Sequence, residues 1–367
     1  MKTSIIIPVY NRLDFTQKCL ESIFQFGSKY DFEIIVVDNA STDGTKEFLE
    51  NLKEKIVFIN NKENLGFAKA CNLGAKKAQG EYLLFLNNDT IVTKNWMDIL
   101  ISELDENPEI AIAGSKLLYP DETIQHAGVV FAEDKTPYHI YSREIKEKHY
   151  VNKKRKFKAI TAACMLVRKD IFNEIGGFDE NFRNGYEDID LCLRIKELGK
   201  DVIYCPESMV YHYESISEGR NESYDENRKL FLKKWSDKVQ QDDYMYMEED
   251  GTQNQYLRLK NQAHEIDRLR NELAFIKESK FWKLRDSYLK TKLMITSPKK
   301  LLKKKLSKPL YLVDSSFRSF KDEGIKTASI RLWNFILYGK GTLDPESITK
   351  KEHYEKLSKV LKNFKKN

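Results

Sequence analysis

Short runs of Ile, Val and Leu recur along the front of the chain, each ending in a polar cluster and giving way to a helical pattern. Thr3 to Asn11 is an apolar strand that ends at Pro8 and opens into a helix carrying Phe15, Cys19, Leu20 and Ile23. Glu33 to Val37 is a second strand, running straight into the turn residues Asp38 to Gly44. Glu81 to Leu86 is a third, followed by Asn87, Asn88, Asp89 and Thr90. Ala111 to Ser115, His126 to Phe131, Ala159 to Val167 and Met209 to Tyr213 read as further strands. Near-continuous aliphatic strands alternating with amphipathic helices predict a mostly parallel sheet buried on both faces.

Two helices stand out within this pattern. Asn64 to Gly74 repeats Gly and Ala on one side, which allows close approach of a backbone or a ligand, though tight packing wants the same residues. Glu187 opens the other, with Ile189, Cys192, Leu193 and Ile195 at helical spacing and Gly199 as a stop. Gly176 and Gly177 precede it, either as the hinge of a closing loop or as the cap of an earlier helix.

Ligands of open parallel sheets bind beyond the carboxyl ends of the strands. Tyr10, Asn11 and Asp38 fall at that edge and offer an aromatic face and a carboxylate acceptor, although Asp38 with Asn39 also suits a plain turn. Asp89 supplies a hard oxygen ligand at a strand end, and His212 can complete such a site or be a hydrogen-bonded structural histidine. Glu187 and Asp188 stand at a helix start, where acids are favoured in any case.

In their order, these segments resemble the family 2 glycosyltransferases, through NLGFAKACNLG, LFLNNDT and GGFDENFRNGYEDIDLCLR, and more closely their rhamnosyltransferase-like branch. The resemblance spans about residues 1–235. It implies an α/β fold of the GT-A nucleotide-sugar type, a mostly parallel mixed sheet flanked by helices, followed by an α-helical C-terminal extension. It also implies an inverting transfer of a sugar, such as rhamnose, from a nucleoside-diphosphate donor to a lipid-linked or polysaccharide acceptor of the bacterial cell surface. Carried over by position, Pro8, Tyr10, Asn11 and Asp38 would line the nucleoside pocket, with Asn64, Gly66, Asn72 and Asn88 on the same wall. Asp89 and His212 would hold a divalent Mg²⁺ or Mn²⁺ on the diphosphate. Asp188 would be the general base, with Glu187 beside it shaping the acceptor site. Asn87 stands where many members of the family have the first Asp of Asp-x-Asp, which lowers the charge available to a cation.

Two other classes share parts of this pattern. A sugar nucleotidyltransferase would want a glycine-rich basic loop after the first strand, where this chain has Pro8-Val-Tyr-Asn-Arg12. A non-catalytic sugar-nucleotide-binding assembly subunit would keep the pocket without needing Glu187, Asp188 and His212.

Composition changes the picture mainly at the back of the chain. With 367 residues and 41% apolar content there is room for one large domain and an appendage. Cys19, Cys71, Cys164, Cys192 and Cys205 sit singly in apolar segments and read as buried thiols of a reducing compartment. The net charge of +6 divides unevenly. Residues 1–250 hold 34 Lys+Arg against 44 Asp+Glu, and residues 251–367 hold 28 against 12. The expected order is a catalytic domain over 1–238, an acidic linker over 239–255, a coiled-coil-like helix over 256–295 and a basic amphipathic helical tail over 296–367. Residues 256–280 are expected to form a dimer zipper or to fold back on the domain. The tail suits the anionic inner face of the cell membrane, giving a cytoplasmic, peripheral protein, or is a solvated appendage. Nucleic acid is not an expected partner, because no nucleic-acid-binding signature accompanies the charge.

Overall fold

The computed structural model describes residues 1–213, 223–253, 268–270 and 274. The chain divides into two units, 1–260 and 261–367. In the second, 268–270 and 274 are helical. The zipper expected over 256–280 otherwise lies outside the described residues, as does the whole of the basic tail.

The first unit runs β1 (Thr3–Val9), α1 (Leu13–Phe26), β2 (Phe32–Asp38), α2 (Thr45–Glu50), β3 (Val57–Asn60), α3 (Phe67–Lys77), β4 (Tyr82–Leu86), β5 (Thr90–Val92), α4 (Trp96–Glu106), β6 (Ile110–Leu118) and β7 (Ile124–His126). It continues β8 (Val129–Phe131), β9 (Pro137–His139), β10 (Arg155–Phe157), β11 (Cys164–Arg168), α5 (Lys169–Glu174), α6 (Glu187–Glu197), β12 (Asp201–His212), α7 (Tyr224–Trp235) and α8 (Asp243–Glu249).

The main sheet has the order β10-β12-β6-β11-β4-β1-β2-β3, with β5 beside β12 and β7 beside β6. Strands β4, β1, β2 and β3 are parallel neighbours, and β11 runs antiparallel between β4 and β6. This is the mixed α/β sheet expected from the sequence. The aliphatic runs are buried on both faces: Ile5, Ile7, Val36 and Leu84 pack on one side with Leu20, Ile23 and Trp96, while Ile6, Ile35, Val37 and Phe85 pack on the other with Ala70, Cys71 and Leu191. All five cysteines are buried free thiols.

The switch in topology falls between β1 and β4, because the chain adds β2 and β3 on one side of β1 and β4 on the other. Pro8 lies inside β1 and pairs with Val37 of β2, so the first strand continues through the proline instead of ending there. On the β4 side the ladder stops at Ile6 and Phe85. A proline has no N–H to extend a ladder, so β1 and β4 stop pairing at the switch point, where sheets of this kind hold ligands in a crevice beyond their strand ends.

Two expectations are corrected here. The run 159–167 is not one strand: β11 starts only at Cys164, and the turn before it is used for other bonds, described below. The stretch 239–255 is not an extended linker over the described residues, because α8 buries Tyr246 and Met247 against Phe157, Tyr150 and Tyr204. Two of its five acids pair with basic residues distant in the chain. Asp250 is paired with Lys153 and Arg155, and Asp242 with Lys158. Although burial opposes ionisation of Asp250, hydrogen bonds from Arg155, Lys153 and Tyr141 hold its carboxyl below the usual carboxylate range.

Candidate active site

Strand direction explains why distant residues meet. The carboxyl ends of β1, β2, β4, β6 and β12 and the amino end of β11 share one edge of the sheet. With strands roughly 4.8 Å apart, the ends of β4, β1 and β2 span about 10 Å, the width of a small ligand.

On the β1–β2 side, Tyr10 is exposed and follows the end of β1. Asn11 and Arg12 take left-handed backbone, and Asn11 N donates to Ser41 Oγ at 2.7 Å while Asn11 Oδ1 accepts from Thr42 N at 2.8 Å. Ser41 in turn donates to Asp38 Oδ1 through both its hydroxyl and its backbone N–H. Asp38 Oδ2 is buried and has no hydrogen-bond partner among the described residues. An acceptor left in this state costs about 1–3 kcal/mol, so it is a position where an incoming N–H donor gains the most.

Next to it, Asn39 Nδ2 donates to Gly66 O, and Gly66 N donates to Asn64 Oδ1. Phe67 N, at the start of α3, donates to Asn184 Oδ1. The loop before α6 is thereby tied to the β1–β2 side of the sheet edge. Asn72, expected on the same wall, is buried. Its Nδ2 donates to Phe178 O and to Glu180 Oε1, and its Oδ1 accepts from Phe178 N. Gly177 takes φ +78°, and a Cβ there would come within 2.6 Å of Asn72 Oδ1. Gly177 N donates to Phe172 O and Gly176 N to Asn173 O, so the glycine pair closes the end of α5, as a helix cap does.

On the β4 side, Asn88 Nδ2 donates to Thr16 Oγ1 of α1, and Asn87 N donates to Ala163 O in the turn before β11. Asp89 Oδ1 lies 3.1 Å from His212 Nε2, which also lies 3.1 Å from Asn87 Nδ2. His212 is 3% exposed, and its Nδ1 lies 2.6 Å from Gln125 Oε1. Two neighbouring ligands of an octahedral Mg²⁺, each roughly 2.1 Å from it, stand about 3 Å apart. The separation of Asp89 and His212 fits a shared divalent cation. No group of three or more His, Cys, Asp or Glu gathers into a cage among the described residues.

At the mouth of α6, Asp188 is half-buried. Its Oδ2 accepts from Ala162 N at 3.1 Å and its Oδ1 from Ile189 N at 2.9 Å. Ala162 and Ala163 thus connect the Asp188 carboxylate to the Asn87 backbone, which explains why this turn leaves the ladder. Glu187 is 6% exposed and accepts from Gly185 N, so it braces the loop and is less accessible than Asp188. Behind them, fully buried Asp190 accepts from Arg194 Nε at 2.8 Å and Trp235 Nε1 at 2.9 Å, and pairs with Lys234 Nζ at 2.6 Å. This set fastens α7 to α6. Gln125 carries no motif that marks it in the sequence, and Asp190 lies within GGFDENFRNGYEDIDLCLR without a role assigned to it.

The sequence and the fold are similar to those of known proteins. Residues 4–176 match the family model described as glycosyl transferase family 2. The chain is 33% identical over 224 residues to the O-antigen biosynthesis protein RfbC of Myxococcus xanthus, covering 59% of this chain and 18% of that protein. It is 33% identical over 150 residues to the poly(ribitol-phosphate) beta-glucosyltransferase of Bacillus spizizenii, covering 32% of this chain and 24% of that protein. The chain therefore spans about a fifth to a quarter of the length of these curated relatives. The crystal structure of GalNAc-T7 with UDP, GalNAc and Mn²⁺ superposes with a TM-score of 0.52 at 18% identity, covering 68% of this chain and 54% of that one. That likeness establishes the GT-A type of fold.

Proposed function

We propose that this chain, in which residues 4–176 are a family 2 glycosyltransferase domain, transfers a sugar from a nucleoside-diphosphate donor to an acceptor hydroxyl of a cell-surface glycan. The observation that carries this reading is the convergence of Tyr10, Asp38, Asp89, Asp188 and His212 on one sheet edge at the topological switch point. Tyr10 offers a face to the nucleobase, and the unpartnered Asp38 Oδ2 accepts an N–H from its edge. Asp89 and His212 would hold Mg²⁺ or Mn²⁺ against the diphosphate, with the donor's phosphate oxygens completing its ligands. Such a cation supplies charge stabilisation worth several kcal/mol to a departing diphosphate.

Asp188 is the general base. As the acceptor oxygen bonds to the anomeric carbon, its proton passes to an Asp188 carboxylate oxygen, the carbon–phosphate oxygen bond breaks, and the nucleoside diphosphate leaves with the electron pair. Attack opposite the leaving group inverts the anomeric centre. The bonds from Ala162 N and Ile189 N hold the carboxylate in place without using all its lone pairs. A base so placed contributes about 10²–10⁴ in rate.

The likeness to the O-antigen biosynthesis protein RfbC and to a poly(ribitol-phosphate) beta-glucosyltransferase supports an acceptor that is a lipid-linked or polymeric surface glycan, and the rhamnosyltransferase-like motifs make dTDP-rhamnose the first donor to test. No helix among the described residues is long and apolar enough to cross a membrane. The lysine-rich segment 297–306 and the large apolar side chains of 330–338 are proposed to hold the protein on an anionic membrane face. A thermal-shift panel of UDP-, dTDP- and GDP-sugars with Mn²⁺ tests the donor assignment. One donor at 100 times its dissociation constant should stabilise the fold by roughly 2.7 kcal/mol, and no stabilisation by any of them would contradict it.

A further inference from the structure

We propose that Gln125 is a positioning residue that decides which ring nitrogen of His212 faces Asp89. The proposal deepens the cation-binding reading of Asp89 and His212, and rests on it. Gln125 lies on β7, is 1% exposed, and touches His212 twice through its side chain. Its Nε2 donates to the main-chain oxygen of His212 at 3.3 Å, and its Oε1 is 2.6 Å from His212 Nδ1.

These two contacts fix the protonation pattern of the ring by elimination. A peptide oxygen only accepts, so the amide nitrogen of Gln125 must face it; turning the amide over would set two acceptors against each other. The amide oxygen then faces Nδ1, and because it too only accepts, Nδ1 carries the hydrogen. In the neutral ring this leaves a lone pair on Nε2, directed at the Asn87 amide donor and at Asp89 Oδ1, both 3.1 Å away. A lone pair beside a carboxylate oxygen is repulsive until a cation lies between them. Without Gln125 the hydrogen can move to Nε2 and donate to Asp89, which satisfies both residues and closes the position to a metal.

The anchor is itself held. The Gln125 main-chain oxygen accepts from His139 Nδ1 at 3.1 Å, and β7 pairs with β6 at Leu117 and Leu118. Ligand histidines are commonly oriented through their second nitrogen, and losing the partner typically costs 10–100-fold in metal affinity.

The test uses the full chain with ¹⁵N-labelled histidine, the His212 signals being assigned by their loss in His212→Gln. The wild type should carry its ring hydrogen on Nδ1 before any metal is added. Gln125→Met should move it toward Nε2, and Gln125→Glu, which keeps an acceptor, should hold it on Nδ1. Titration with Mn²⁺ in the presence of UDP, dTDP or GDP, followed by electron paramagnetic resonance, should show affinity 10–100-fold weaker in Gln125→Met and near that of the wild type in Gln125→Glu. A wild-type ring protonated on Nε2 would overturn the assignment whether or not the variants fold. So would a folded Gln125→Met that binds Mn²⁺ like the wild type. A wild type that keeps Nδ1–H but binds no Mn²⁺ with any of the three nucleotides would instead remove the cation reading itself, and this proposal with it.

Discussion

Asp89 Oδ1 and His212 Nε2 lie 3.1 Å apart because the backbone brings them together: His212 is in register with Thr90 across β12 and β5, and Tyr213 N donates to Asp89 O at 2.9 Å. The loop after β4 and the end of β12 are thus one backbone unit. Changing either side chain should leave that unit standing.

Asp89→Asn and His212→Gln are therefore expected to weaken Mn²⁺ binding at least tenfold while moving the metal-free unfolding midpoint little. Asn87→Asp, which adds a carboxylate beside Asp89, should tighten Mn²⁺ by about tenfold, as charge count does in oxygen-ligand sites. Calorimetric titration with Mn²⁺ and the preferred nucleotide checks all three.

Asp190 should matter to stability more than any acid on the sheet edge. It is fully buried, and Arg194 and Lys234 balance its charge. Asp190→Ala removes the acceptor that Arg194 Nε, Lys234 and the Trp235 N–H share, although Lys234 keeps Asp179 and Arg194 keeps the Ile175 and Gly177 main-chain oxygens, and it is expected to cost about 3–5 kcal/mol in urea unfolding. Lys234 is partly exposed and can reach water, which places the value toward the lower end of that range.

His126 gives the fold a built-in acid sensitivity. It is wholly buried with neither ring nitrogen hydrogen-bonded among the described residues, and burial, then repulsion from His139 and His212, pushes its pKa well below the usual 6.5. The unfolded chain therefore binds a proton that the folded one refuses, so stability falls as pH drops below about 6.5 and levels off only under the folded pKa. His126→Leu should leave stability at pH 8 unchanged within about 1 kcal/mol, since replacing an unsatisfied polar group by an apolar one is nearly neutral. It should also flatten the loss between pH 6.5 and 5, as read by thermal melts.

The alternation of aliphatic runs and helices made the sheet and its functional edge legible, because strand polarity follows from the repeating order of elements. Asp38, Asp89, Asp188 and His212 stand at strand ends or a helix start, but the roles proposed for them come from the resemblance to family 2 glycosyltransferases and not from position alone. What escaped was whatever depended on a partner distant in the chain. Gln125 is an ordinary residue of a three-residue strand until His212 lies beside it. The acids of 239–255 look like a solvated linker unless Lys153 and Arg155 are known to face Asp250, although Tyr244-Met-Tyr-Met247 within so acidic a run hinted at a buried face. Asn72 has the small, polar look of a ligand-binding residue, but its amide is occupied by the loop at Phe178 and Glu180.

The central claim is that the crevice between β1 and β4 activates a nucleoside-diphosphate sugar and that Asp188 takes the acceptor proton. Its most direct test is release of nucleoside diphosphate from the donor found by thermal shift, measured with Mn²⁺ and with either water or an acceptor glycan, for the wild type and Asp188→Asn. The account predicts metal-dependent release with inversion in the wild type, and a rate 10²–10⁴ lower in Asp188→Asn with donor affinity kept. An Asp188→Asn enzyme as fast as the wild type, with an unchanged pH profile, would contradict it.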